Sequence, residues 1–65
     1  MRYEIDTIQY GEHRDTYRHE SMESLLNDLC NIYEVRASTE IIEIRERGKP
    51  ISKTRMKVLR ALALR

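Results

Sequence analysis

The residues best suited to chemistry sit close together early in the chain: His13, Asp15, Tyr17 and His19, alternating with Arg14, Thr16 and Arg18. On an extended strand these odd positions share one face, and neighbours two apart stand about 6.8 Å from each other. Two imidazoles and a carboxylate on one face can hold a metal or exchange protons. Structural zinc sites, however, take four ligands on tighter, turn-defined spacings. The simpler expectation is a polar strand face with Tyr17 tucked toward the core. Cys30, the only cysteine, falls beside a run of leucines and reads as a small buried hydrophobe. Ser21 and Ser24 have no triad context in sequence, and Gly11 and Gly48 are too isolated to form a phosphate-cradling loop. The sequence therefore predicts no catalytic residue, no metal site, no cofactor and no small-molecule substrate. The expectation is a binding protein rather than an enzyme.

Charge carries the stronger signal. From Met1 to Glu34, Arg2, Arg14 and Arg18 face eight acidic residues, a balance of −5; from Val35 to Arg65, nine Lys and Arg face Glu40, Glu43 and Glu46, a balance of +6. The net charge of +1 conceals that asymmetry, which points to electrostatically guided association with an acidic partner. The residues expected to meet it are Arg45, Arg47, Lys49, Lys53, Lys57 and Arg60, in a basic segment that also holds Arg55. Each phosphate they contact adds salt-dependent affinity and little sequence information. No aromatic residue follows Tyr33, so that half offers no platform for stacking bases. The acidic half can in turn present Glu4, Asp6, Glu12, Asp15, Glu20 and Glu23 to a basic groove, as a nucleic-acid mimic does, although a solvated face is the commoner outcome.

The elements that must position these charges can be read from periodicity. Alternation of Tyr3, Ile5 and Thr7 with Glu4 and Asp6 predicts a strand from about Arg2 to Gln9. A Gly11 turn then leads to a polar return strand from Arg14 to His19. Ser21 is placed to cap a helix whose stripe is Met22, Leu25, Leu26, Leu29 and Tyr33, at i, i+3, i+4, i+7 and i+11. Thr39 to Arg47 reads as a strand with Ile42 and Ile44 on one face, Arg47-Gly48 as a turn, and Lys49 to Ser52 as a short edge strand limited by Pro50. From Lys53, capped by Ser52 or Thr54, the period becomes helical: Met56, Val58, Leu59, Leu62 and Ala63 form a broad apolar arc beside a stripe of Lys53, Lys57 and Arg60. The predicted fold is α+β, ββαββα: a small antiparallel sheet packed on one face by a central helix, with a C-terminal amphipathic helix.

At 65 residues a single domain is expected, and one that buries only about 60% of the surface its unfolded chain exposes. With no disulfide possible and few metal ligands, self-association is the remaining support, so a homodimer is expected, with Val58, Leu62 and Leu64 at a subunit or partner interface. No apolar run approaches the roughly 20 residues of a membrane span. The unpaired cysteine and the lack of a secretion leader point to the cytoplasm.

Two resemblances add to this reading. The hairpin Tyr3–His19, the run Glu20-Ser21-Met22-Glu23-Ser24-Leu25-Leu26 opening a helix, and the strand Glu40–Arg47 resemble, in size and element order, small phage-encoded inhibitors of host machinery such as host RNA-polymerase inhibitors and anti-CRISPR proteins. That resemblance implies a stoichiometric protein that blocks a nucleic-acid-handling complex through charged surfaces. The segment Ile44-Arg45-Glu46-Arg47-Gly48-Lys49-Pro50-Ile51 is similar to the hairpin of prevent-host-death antitoxins, which implies the alternative of a dimeric DNA-binding transcriptional regulator. In that family a short strand leads directly into a helix, whereas here a hairpin, Tyr3–His19, comes first.

Overall fold

Alternation along the first strand decides the layering. The computed structural model describes residues 2–65 and places β1 at Tyr3–Gln9, with Tyr3, Ile5 and Thr7 buried and Glu4 and Asp6 on the opposite side. β2 (His13–His19) returns beside it, followed by α1 (Met22–Glu34), β3 (Thr39–Glu46), the two-residue β4 (Lys49–Pro50) and α2 (Lys53–Ala63). The chain is α+β in the order ββαββα, as its periodicities predict. The four strands are antiparallel in the order β2-β1-β3-β4. β1 is thus an inner strand, and the α1 crossover returns β3 to its second edge.

Local chemistry fixes the element ends. Ser21 Oγ accepts a hydrogen bond from Ser24 N at 3.1 Å, and Ser52 Oγ accepts one from Arg55 N at 3.1 Å, so each helix opens on a serine cap. Both hairpins turn through the left-handed region, at Tyr10-Gly11 (φ 54° and 69°) and at Arg47-Gly48 (φ 52° and 81°). Two consecutive residues with positive φ give the turn twist that matches paired strands. Glycine takes that conformation freely; Tyr10 and Arg47 hold it against the steric preference of an L side chain. Pro50 has no N–H to extend a ladder, so β4 stops there, and Ile51 N reaches Ile44 O (2.9 Å) as a last tie.

Both helices lie on one face of the sheet. Leu25, Leu29 and Ile32 of α1 and Leu59 and Ala63 of α2 join Tyr3, Ile5 and Ile44 in one core. Met22, Leu26, Cys30 and Tyr33 are half-buried around it. The stripe of α1 is therefore centred on positions 25, 29 and 32, and Ile32, absent from the stripe read in sequence, replaces Tyr33 at its heart. No helix among the described residues is long and apolar enough to cross a membrane.

One strand departs from the sequence expectation. Asp6 pairs with Glu43, but Thr7 pairs with Ile41, so β3 holds one extra residue, Ile42, in a bulge. Ile42 and Ile44 therefore do not share a face. Ile44 is 1% exposed and Ile41 packs against the core, whereas Ile42 is 47% exposed. A single inserted residue reverses which side each following side chain meets, and alternation read in sequence cannot register it. Ile42→Asn is accordingly expected to change unfolding free energy by less than about 0.5 kcal/mol. Ile44→Ala is expected to cost about 2–5 kcal/mol by urea denaturation. A large cost at Ile42 would mean that the strand runs without the bulge.

Candidate functional site

The sheet face away from the helices carries charge, and Arg45 is its centre. Glu4 pairs in register with Arg45, while Asp6 stands opposite Glu43. Two carboxylates directly opposed on neighbouring strands repel, and the Arg45 guanidinium lies between them. Its Nη2 donates to Asp6 Oδ1 (2.9 Å), its Nη1 to Asp6 Oδ2 and to Glu43 Oε2 (2.7 Å), and its Nε lies 3.4 Å from Glu4 Oε1. Arg18 Nε reaches the other oxygen of Glu4 at 3.4 Å, and Thr16 Oγ1 donates to Asp6 Oδ1 at 2.8 Å. The fork on Asp6 is the strong, bidentate form of the arginine–carboxylate contact. The Arg45 guanidinium and then the Thr16 hydroxyl hold the Asp6 carboxyl below its ordinary value, and the hydrogen bonds to Asp6 and then Glu43 hold Arg45 still more firmly protonated. Arg45 is thus committed within the fold, and the structure does not group it with the other five basic residues predicted to meet a partner.

Those five lie elsewhere. Arg47 and Lys49 flank the β3–β4 turn beside an open groove of about 400 Å³ that Glu46, Pro50 and Ile51 also line. Lys53 follows Lys49 by four residues, a span of at most about 14 Å of chain. Lys53, Lys57 and Arg60 then recur at i, i+4 and i+7 on α2 and are exposed. Among the described residues none of these five cations forms an ion pair; the paired bases are Arg18, His19, Arg36 and Arg45. No Asp or Glu follows Glu46, so the cations of α2 have no counter-charge on their own helix, while Lys49 stands opposite Glu46 in the β3–β4 ladder without an ion pair forming between them. Arg60 is nonetheless anchored, its guanidinium 5.2 Å from the centre of the Tyr33 ring on α1. Burial pushes the Tyr33 phenol up from its ordinary value, with Arg60 opposing the shift.

Two features of this region run against stability. The first turn of α2 contains Lys53 and Arg55 and no acid, although the positive end of the helix dipole favours carboxylates there. Arg47 occupies the left-handed conformation that asparagine or glycine would take at lower cost. Of the apolar residues expected at an interface, Val58 is 44% and Leu64 38% exposed, and Leu62 is half-buried. They do not form a single row: Val58 and Leu62 align at i, i+4, while Leu64 continues the line of Lys57 and Arg60.

The early polar cluster divides. His13 and Asp15 are exposed near the first turn, and no group of three His, Cys, Asp or Glu residues able to hold a metal occurs among the described residues. Tyr17 is half-buried against the core; Arg36 donates to its hydroxyl at 3.2 Å and stacks 5.1 Å from its ring centre. His19 lies between two α1 side chains, with Nδ1 2.5 Å from Ser24 Oγ and Nε2 2.8 Å from Asp28 Oδ2. Arg36 Nη2 holds the other Asp28 oxygen at 2.6 Å. Ser24, read in sequence as lacking triad partners, therefore has two of the residue types a triad needs. The signal available was the i, i+4 spacing of Ser24 and Asp28 on one helix face; the approach of His19 depends on tertiary packing. Comparison with protein-family models, curated proteins and solved structures finds no match to this chain.

The Arg45 cluster sets an acid response. A carboxyl whose folded pKa is depressed adds stability that is present above its unfolded value, about pH 4, and is lost as the pH falls from there through the folded value. Arg45→Met leaves Asp6 and Glu43 opposed without their cation. That variant is expected to be less stable than the parent at pH 7, and to lose less stability between pH 4 and pH 2 in urea-denaturation series. Parallel pH profiles for the two proteins would show that Arg45 does not hold the Asp6 carboxylate.

Proposed function

We propose that this protein is a small regulatory or inhibitory binding protein that attaches stoichiometrically to an acidic surface of a nucleic-acid-handling complex. The contact surface is Arg47, Lys49, Lys53, Lys57 and Arg60. The observation that carries this reading is their lack of carboxylate partners among the described residues, set against the full commitment of Arg45 on the other face. Ion pairing inside a fold consumes charge, and uncompensated cations gathered in one region attract anions. The left-handed Arg47 and the acid-free first turn of α2 add to the argument. Each holds a cation where the fold itself favours another residue, as binding sites commonly do.

The chemistry of the surface narrows the partner. Lysine and arginine without neighbouring exposed aromatics recognise phosphates or carboxylates rather than stacked bases. Val58 and Leu64 extend the surface with apolar area that a partner or a second copy of the chain covers. Self-association through α2 would give the DNA-binding regulator that stands as the second reading, for which the half-exposed Val58 is the specific support.

Titration against short duplex DNA separates the two. The regulator requires micromolar or tighter affinity with a steep salt dependence, and no measurable binding directs the basic surface to a protein instead. In either case the Lys53→Glu, Lys57→Glu, Arg60→Glu triple variant is expected to abolish binding to the partner captured by the parent, and unchanged affinity would show that another surface makes the contact. Lys53→Glu alone is expected to raise stability by about 0.3–1 kcal/mol, through the helix dipole, while weakening partner binding. A variant less stable than the parent would contradict the assignment of Lys53 as a residue kept for binding at the expense of the helix.

A further inference from the structure

The contact between β2 and α1 has the composition of a nucleophile relay. His19 leaves the end of β2 and meets two residues of α1 one helical turn apart, Ser24 and Asp28. An ionised carboxylate only accepts hydrogen bonds, so the 2.8 Å contact with Asp28 Oδ2 places a proton on His19 Nε2. In the neutral imidazole Nδ1 then carries the lone pair, and the Ser24 hydroxyl, 2.5 Å away, donates into it. Arg36 fixes Asp28 from behind through Oδ1 (2.6 Å) and is itself stacked on Tyr17, which leaves Oδ2 directed at the imidazole. The order Ser–His–Asp matches the logic of an activated serine: a base within hydrogen-bond reach of the nucleophile, and a third group that fixes the base's tautomer.

Position adds what the three side chains lack. Ser24 is exposed, whereas His19 and Asp28 are each only 15% exposed at the side chain, so the hydroxyl is the part of the relay that a reagent can reach. Ser24 lies in the first turn of α1. Its own N–H is taken by Ser21 Oγ and that of Leu25 by Ser21 O. The N–H groups of Met22 and Glu23 have no carbonyl four residues back within the helix.

We propose that Ser24 is a nucleophile activated by His19, with Asp28 and Arg36 as positioning residues, and that it accepts the acyl group of a small activated ester. In that step the Ser24 Oγ–acyl carbon bond forms and the bond from acyl carbon to the leaving oxygen breaks. The hydroxyl proton passes to His19 Nδ1 and from there to the departing alkoxide. The groove beside the β3–β4 turn, and a second one on the open sheet face between Asp6, Arg14, Thr16 and Ile42, contain none of these side chains. The electrophile must therefore carry its own activation. This reactivity is independent of the basic surface, and one acylation per chain is compatible with a protein that acts stoichiometrically.

The intact protein treated with a fluorophosphonate at neutral pH tests the proposal, because that reagent gives up fluoride as its phosphorus bonds to an activated serine oxygen. Peptide mapping then compares Ser24 with Ser21, Ser38 and Ser52, which serve as internal references. Ser24 is expected to label roughly 100-fold faster than the others, the lower range of general-base assistance. Asp28→Asn is expected to slow Ser24 at least about ten-fold through loss of the imidazole's tautomer control, with an unchanged circular-dichroism spectrum and urea midpoint as the check that the fold persists. Equal labelling of all four serines in the parent protein would overturn the proposal and reduce the contact to a structural tie between β2 and α1.

Discussion

A chain of this size can cover only one face of its sheet, and the rest of the structure follows from that constraint. Both helices are spent on the side where Tyr3, Ile5, Thr7 and Ile44 point. The other side of the same strands remains in water and must be polar. β1 meets that demand with Glu4 and Asp6, and β3 sets Glu43 opposite Asp6. A cation is then needed between the strands, and Arg45 supplies it. The arginine is thus part of the strand pairing itself, stabilising the register that the buried pair Ile5–Ile44 fixes from the opposite face.

That commitment explains how the charge of the chain is distributed in space. In sequence the acidic and basic halves are separate; in the sheet they lie side by side, β2 and β1 from the first and β3 and β4 from the second, and meet along the β1–β3 seam. Arg45 and Arg36 of the basic half are drawn into contact with Glu4, Asp6 and Asp28 of the acidic half. What remains uncompensated is the end of the chain beyond Glu46, where the sequence contains no acid. The binding surface we propose is thereby narrower than the charge split suggests: it begins at Arg47 and runs along α2, and the open sheet face lies outside it. The features that hold it, an arginine at positive φ and cations at a helix N-terminus, are those that folding alone would disfavour.

Local patterns made most of the fold legible. Ser21 and Ser52 cap their helices because short polar side chains satisfy the first N–H groups, and Gly48 marks its turn through its backbone freedom; both effects act within a few residues. The leucines at positions 25 and 29 declare the buried face of α1. Much of what escaped is non-local. The Ile42 bulge depends on the register between β3 and β1, so alternation placed Ile42 on the wrong side. Ile32, seven residues after Leu25 and three after Leu29, completes the buried face of α1, a spacing that the α1 sequence itself carries. At the candidate site, the spacing of Lys53, Lys57 and Arg60 was readable, but the commitment of Arg45 was not, since its β1 partners lie 39 and 41 residues away in sequence. The Ser24 contact is of shorter range: helical spacing joins it to Asp28, and the turn between β2 and α1 brings in His19, five residues before it.

The central claim, that the uncompensated cations beyond Glu46 form the binding surface while Arg45 serves the sheet, is tested most directly by backbone amide chemical shifts during titration with a sulfated oligosaccharide as a generic polyanion. The account predicts that the shifts concentrate at Arg47, Lys49, Lys53, Lys57 and Arg60 and their neighbours, vanish as salt is raised, and leave Glu4, Asp6, Arg18 and Arg45 in place. Shifts centred on Arg14, Arg18 and Arg45 across the open sheet face, or none along α2, would contradict it.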